Sequence, residues 1–213
     1  MTFLRHITLY FLFCLFILPA TFAQTNAIVN QHKTKEEEEL NSLLKKGEEF
    51  LSSNLKGSEI IFKQALIQAQ KLGLKQEESN AYHDLGKLYS AKNDIVAAKS
   101  YFEKAIIIRE EIKDYEGLSK SLNQVGIILQ DWGKLDSALV MYKNSYRNAE
   151  QAGYTRGMAI AIKQEGNVFA RKAQYNLAIE RYMKALNLFE QIKSDDGILS
   201  TYNNIGGIYA TLL

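Results

Sequence analysis

The chain has 213 residues, 46% of them hydrophobic and 23% charged, with 26 basic and 24 acidic side chains. That is ordinary for a folded chain of one or two domains, and the near balance of charge excludes the concentrated basic face that phosphate neutralisation requires, so nucleic acid is not an expected partner. A single proline, cysteine and tryptophan exclude a disulfide framework and, beside plentiful Ala, Leu, Ile, Lys, Glu and Gln, point to helix.

The first segment differs from the rest. Arg5 and His6 precede an apolar run from Ile7 to Leu18, which Pro19 ends ahead of Thr21, Phe22 and Ala23. Crossing the hydrocarbon core takes about 20 apolar residues, so 1–23 read as a signal peptide cut after Ala23, with an uncleaved anchor as the alternative. Export to the periplasm or cell envelope is the expectation. Cys14 follows Phe13, where lipid attachment wants a small residue, and a chain cut after Ala23 has neither cysteine nor proline. Thiol chemistry is thereby excluded. Residues 24–35 are polar and patternless, a disordered lead-in. Glu36 to Glu39 then suit a helix start.

From residue 36 onward the chain repeats itself. AYHDLGKLY (81–89), SLNQVGIIL (121–129), AIKQEGNVF (161–169) and TYNNIGGIY (201–209) recur in steps of 40, carrying Gly86, Gly126, Gly166 and Gly206. Ala98, Ala138 and Ala178 form a second ladder, with Phe102, Tyr142 and Tyr182, and with Ala105, Ser145 and Ala185. Gly117, Gly157 and Gly197 form a third.

Tyr82, Leu85, Leu88 and Tyr89 lie on one helical stripe, and Ile95, Ala98, Phe102, Ala105 and Ile106 on another, so each unit is a helical hairpin. Asn93, Gly133 and Ala173 fall between the two helices, where a left-handed residue ends the first; Ala173 should be mildly strained there. Glycine inside a helix is unfavourable by about 1 kcal/mol relative to alanine, so the glycine ladder demands a packing reason. The expectation is that Gly86 faces Ala98 and that the ring at 102 packs over the gap.

The order Tyr82, Leu85, Gly86, Tyr89, then Ala98, Phe102, Ala105 resembles the tetratricopeptide repeat, over about residues 35 to 213. The step of 40 rather than 34 is similar to kinesin-light-chain-like repeats and to repeats of bacterial sensor proteins. The resemblance implies an all-α, right-handed superhelical solenoid of antiparallel helical hairpins. Its units are a degenerate first repeat at 36–73, full repeats at 75–113, 115–153 and 155–193, and the first helix of a further one at 195–213. Leu43, Gly47, Phe50, Phe62 and Ala65 mark the first, whose turn is shorter by one residue. At the other end Ile205, Gly206, Ile208 and Tyr209 carry a core signature with no second helix to bury it. That suggests the amino-terminal piece of a longer protein, or a helix completed by another chain.

No catalytic, cofactor or metal site is expected. His6 is in the signal segment and His32 in the lead-in, so His83 alone lies on the repeats, too few for a metal cage or a histidine-dependent triad. Function is expected on the inner wall, at Asn80, His83, Lys87, Lys120, Asn123, Lys163, Asn167, Arg171 and Asn203, with Ile127 and Ser200 beside them. Asparagine both donates to and accepts from an extended backbone, and the cations favour an acidic or carboxylate-bearing peptide or protein segment. Glu165, in the slot of Leu85, Val125 and Ile205, is expected at a solvent-open edge, and the core tyrosines are expected to keep wet hydroxyls.

Three functions follow in order: an extracytoplasmic sensor or docking region of a signalling protein, held to a membrane only through a downstream anchor; a freestanding periplasmic scaffold; and the front of an enzyme whose catalytic part lies further along.

Overall fold

The computed structural model describes residues 34–212, and the signal segment lies outside the described residues. All nine regular elements among them are α-helices: α1 (34–50), α2 (Leu55–Leu72), α3 (Lys75–Ala91), α4 (Ile95–Ile112), α5 (Tyr115–Asp131), α6 (Leu135–Gln151), α7 (Thr155–Arg171), α8 (Tyr175–Gln191) and α9 (Asp195–Leu212). None is long and apolar enough to cross a membrane. Each helix packs on its neighbour in sequence, so consecutive hairpins build an all-α solenoid.

The turns explain the regularity. Gly73, Asn93, Lys113, Gly133, Gly153, Ala173 and Lys193 all have positive φ, one every 20 residues. After each, the next amide donates back to the carbonyl five residues earlier, as in Asp94 to Tyr89, Lys134 to Leu129 and Gln174 to Phe169, at 2.8 to 2.9 Å. This closure satisfies carbonyls that a helix end would otherwise strand. Asn93, Gly133 and Ala173 are thus left-handed as expected, with Ala173 at φ 55°. Asn54, Asp94 and Asp114 cap the helices that follow by accepting from Gly57, Ala97 and Gly117.

The hairpin core is a ring seated on a glycine. A Cβ on Gly47, Gly86, Gly126 or Gly166 would come closer than 3.0 Å to the ring of Phe62, Phe102, Tyr142 or Tyr182 respectively. The aromatic itself, not Ala98, therefore occupies the space that Gly86 leaves. Gly47 and Phe62 hold this contact one residue closer in sequence than the others, but the expected shorter turn is not the reason: the connection 51–54 is longer than 92–94, and it is α1 that stops sooner after its glycine.

Two expectations are corrected. The hydroxyls of Tyr142 and Tyr182 are not wet: they donate to Gln130 Oε1 at 3.1 Å and Asn167 Oδ1 at 2.8 Å. Burial pushes the Tyr182 phenol up to about 12. Glu165 is not at an open edge either. It is 6% exposed, with Arg181 Nε 3.5 Å from its carboxylate, and burial raises its pKa against the pull of Arg181. An ion pair fills a slot that leucine or valine fills in neighbouring units.

First helices also touch one another: α5 lies against α7 and α7 against α9, whereas no pair of second helices packs comparably among the described residues. A stack tighter along one row than the other bends towards the tight side. The first helices therefore line the inner wall.

Candidate functional site

The inner wall opens into a polar notch of about 620 Å³ among α1, α3 and α5, floored by α4. Its charged lining is Lys45, Lys87, Arg109 and Lys120 against Glu48 and Asp84, four cations to two carboxylates. Asn80 and His83 complete the α3 side.

Arg109 is the floor. It is 3% exposed, and its guanidinium donates to Gly117 O at 2.8 Å, Ser121 Oγ at 2.5 Å and Asn80 Oδ1 at 3.0 Å. Those acceptors are all neutral. The Asp114 carboxylate stands 3.4 Å from Nε, yet Nε makes no hydrogen bond. The buried cation is thus held in place by neutral acceptors, with Asp114 as its nearest opposite charge. Burial lowers its pKa against the attraction of Asp114 and Asp84.

Its position was legible as a broken ladder. Steps of 40 through Arg109 meet Ala69, Ala149 and Phe189, apolar residues that are all buried.

His83 sits on this floor, 2.9 Å from Ser121 Oγ and edge-on to Phe102. Burial, then the charge of Arg109, holds its pKa well below the ordinary imidazole value, so the ring is neutral. Asp84, beside it, is 7% exposed. Its ion-pair partner is Lys87 Nζ at 3.5 Å, and Lys87 binds Glu48 across the notch more closely. Burial pushes the Asp84 carboxyl up to about 7, with Lys87 opposing.

The expected wall residues divide into groups. Asn80, His83, Lys87 and Lys120 come together around the notch. Asn123 lines an adjoining pocket of about 250 Å³ with Lys87, Lys120 and Tyr154; it is 9% exposed, and its Oδ1 has no partner. Lys120 also pairs with Glu116 at 2.7 Å and lies over the Tyr154 ring.

Further along, the polar atoms tie helices together. Lys163 donates to Ser200 Oγ at 2.8 Å and lies over Phe189. Asn167 Oδ1 accepts from Tyr182 and from Asn204 at 3.0 Å. Arg171 donates to Gln130 O at 2.9 Å and pairs with Asp131 at 3.3 Å. Asn203 is exposed on α9 and Ile127 half-buried on α5. Among the described residues no cluster of His, Cys, Asp and Glu could hold a metal ion.

Hairpins stacked with one row of helices inside define a helical-repeat solenoid, a class that acts through its inner surface. One unit, residues 79–111, matches the sequence profile of the tetratricopeptide repeat. No curated protein matches the chain in sequence.

Solved structures agree on the fold. Aspartyl phosphate phosphatase F from Bacillus subtilis aligns over 88% of this chain and 50% of its own, with a TM-score of 0.71 and 17% identity. A signal transduction ATPase with a tetratricopeptide repeat sensor, from Pyrococcus horikoshii, aligns over 82% of this chain and 28% of its own, with a TM-score of 0.70 and 19% identity. The nearly identical tetratricopeptide-like repeats of a kinesin light chain from Podosopora anserina align over 81% of this chain and 86% of their own, with a TM-score of 0.63 and 13% identity. The chain thus spans half or less of the first two.

Proposed function

We propose that this repeat domain captures an acidic or carboxylate-bearing protein segment along its inner wall, as the exported sensor or docking region of a bacterial signalling protein. The observation that carries the binding reading is the notch itself. Three lysines, Lys45, Lys87 and Lys120, face two carboxylates around an open cavity, over the buried Arg109 guanidinium whose hydrogen-bond acceptors are neutral. An incoming carboxylate meets these cations as a further charge-assisted partner.

The sensor reading takes support from the repeat sensor named in the Pyrococcus protein, and export from the apolar run of Ile7 to Leu18. The fold supplies binding rather than chemistry.

Binding is tested on an array of peptides of graded charge probed with the whole chain. Acidic peptides should be retained, and Lys87→Ala with Lys120→Ala should weaken them by at least about tenfold, the scale of one lost charge-assisted contact. Retention indifferent to peptide charge would refute the acidic reading. For export, the mature protein from an envelope fraction should begin at Gln24; recovery from the cytosol with Met1 intact would reject it.

A further inference from the structure

The inner notch holds a feature that binding an anion does not by itself require. Asp84 places a buried carboxyl in the wall of a cavity otherwise suited to negative ligands. The groups around it are Lys87 and His83 on its own helix, Lys45 and Glu48 on α1, Arg109 on α4 and Lys120 on α5. Of these, Lys87 is the one bound to it, at 3.5 Å, and Lys87 is shared with Glu48. The buried carboxylate is thus weakly compensated.

An anion entering the notch competes with Asp84 for Lys87 and repels it across a low-dielectric wall. Both effects favour the protonated carboxyl.

We propose that the notch takes up its anionic ligand together with one proton, accepted by Asp84. This rests on the acidic-segment reading and adds a condition to it: affinity rises as the surroundings acidify. Proton and anion enter as a neutral pair, which spares the cavity from holding Glu48, Asp84 and ligand charged at once.

Burial already brings the Asp84 carboxyl close to neutrality, at about 7, so a modest push from the ligand completes the protonation. His83 does not confuse the signal, because its pKa is held well below its usual value and it stays neutral across the same range.

The test uses the whole chain and N-acetylated tetraglutamate followed by calorimetry, a peptide whose side chains remain ionised above about pH 6. Affinity measured from about pH 8.5 down to about pH 6 should rise by more than about tenfold, since one linked proton gives at most about tenfold per pH unit. Asp84→Asn should bind at high pH nearly as tightly as the parent does at low pH, and its profile should be flat. Calorimetry of the parent chain in buffers of different ionisation enthalpy should show proton uptake on binding near pH 8, independently of any variant.

Binding that is tight but insensitive to pH, or no proton uptake, overturns the proton linkage and leaves the acidic-segment reading standing. A pH dependence that survives in Asp84→Asn overturns the assignment to Asp84. Absence of tetraglutamate binding at every pH overturns both.

Discussion

Phe62, Phe102, Tyr142 and Tyr182 each rest on a glycine whose missing Cβ their rings occupy, and Gly206 repeats that glycine with nothing within 4 Å of its Cβ position. The same residue type therefore has opposite consequences at the two sites. Gly126→Leu drives a side chain into the Tyr142 ring and should lower stability by about 1–3 kcal/mol, the usual penalty of overpacking. Gly206→Ala lies in an open helix and should raise α9 stability by up to about 1 kcal/mol. Paired chemical denaturation curves check both; equal effects would mean that the ring contact carries no weight. Asp84 gives a second prediction. Its folded pKa of about 7 lies above the ordinary aspartate value of 3.8, so its neutral form stabilises the fold below about pH 4, and that contribution is lost as pH rises through 7. Asp84→Asn should remove this alkaline loss, a gain on the order of 1–4 kcal/mol at pH 8 that shrinks towards pH 4. His83 acts in the other direction, because its lowered pKa makes the loss appear as pH falls below about 6.5. Thermal melts at pH 5.5 and pH 8 separate the two. The glycines were legible in the sequence because a helix interior tolerates them only for a packing reason, whereas Arg109 was missed, although a cation in a ladder of Ala69, Ala149 and Phe189 could have revealed it. The burial of Asp84 and Glu165 was not, since both lie on helices whose outer turns are charged. Which slot closes depends on how tightly the next helix stacks.

At the scale of elements, helices of 17 and 18 residues alternate with turns that share one geometry from Gly73 onward, closed every 20 residues by a left-handed residue. The sequence displays a step of 40 because only side chains distinguish first helices from second ones. Gly73, Gly133, Gly153 and Asn93 fit the left-handed conformation easily, and their turns could be recognised from composition. Lys113 and Lys193 carry no such signature, yet they are forced into it at φ 58° and 52° by the closure from Asp114 to Arg109 and from Ser194 to Phe189. Ala173 is held in the same way, at φ 55°. Relief of a left-handed Cβ is worth about 1–2 kcal/mol, partly offset by the larger unfolded-state freedom of glycine. Ala173→Gly should thus stabilise the chain by up to about 1 kcal/mol, and Gly133→Ala should destabilise it by a similar amount, as read from urea midpoints. If both substitutions shift the midpoint in the same direction, the left-handed turn is not what limits these hairpins.

Across the whole molecule, stability is a sum over neighbours, since each helix packs mainly on the one before and the one after. The described helices are consequently unequal. α5 is packed by α4, α6 and α7 and contributes Val125, Ile128 and Leu129 to the central cluster. Among the described residues α9 is packed mainly by α8 and α7; Leu199, Tyr202 and Tyr209 stand exposed on it, and a Cβ at Gly206 or Gly207 would have no described atom within 4 Å. Native-state hydrogen exchange on this 213-residue chain should reflect that difference. Amides in the middle of α5 and α6 should exchange only through global unfolding, while those of α9 should open locally with a free energy several-fold smaller. Gly206→Ala should slow exchange in α9 and leave α5 unchanged, because nearest-neighbour coupling fades along a stack of repeats. Gly126→Leu should instead accelerate exchange in α5, α6 and α7 together, because the Tyr142 ring that it displaces belongs to the cluster those helices share. Uniform protection from α1 to α9 would mean that the solenoid unfolds as one block, and the account of curvature from a tightly stacked inner row would then lose its energetic basis.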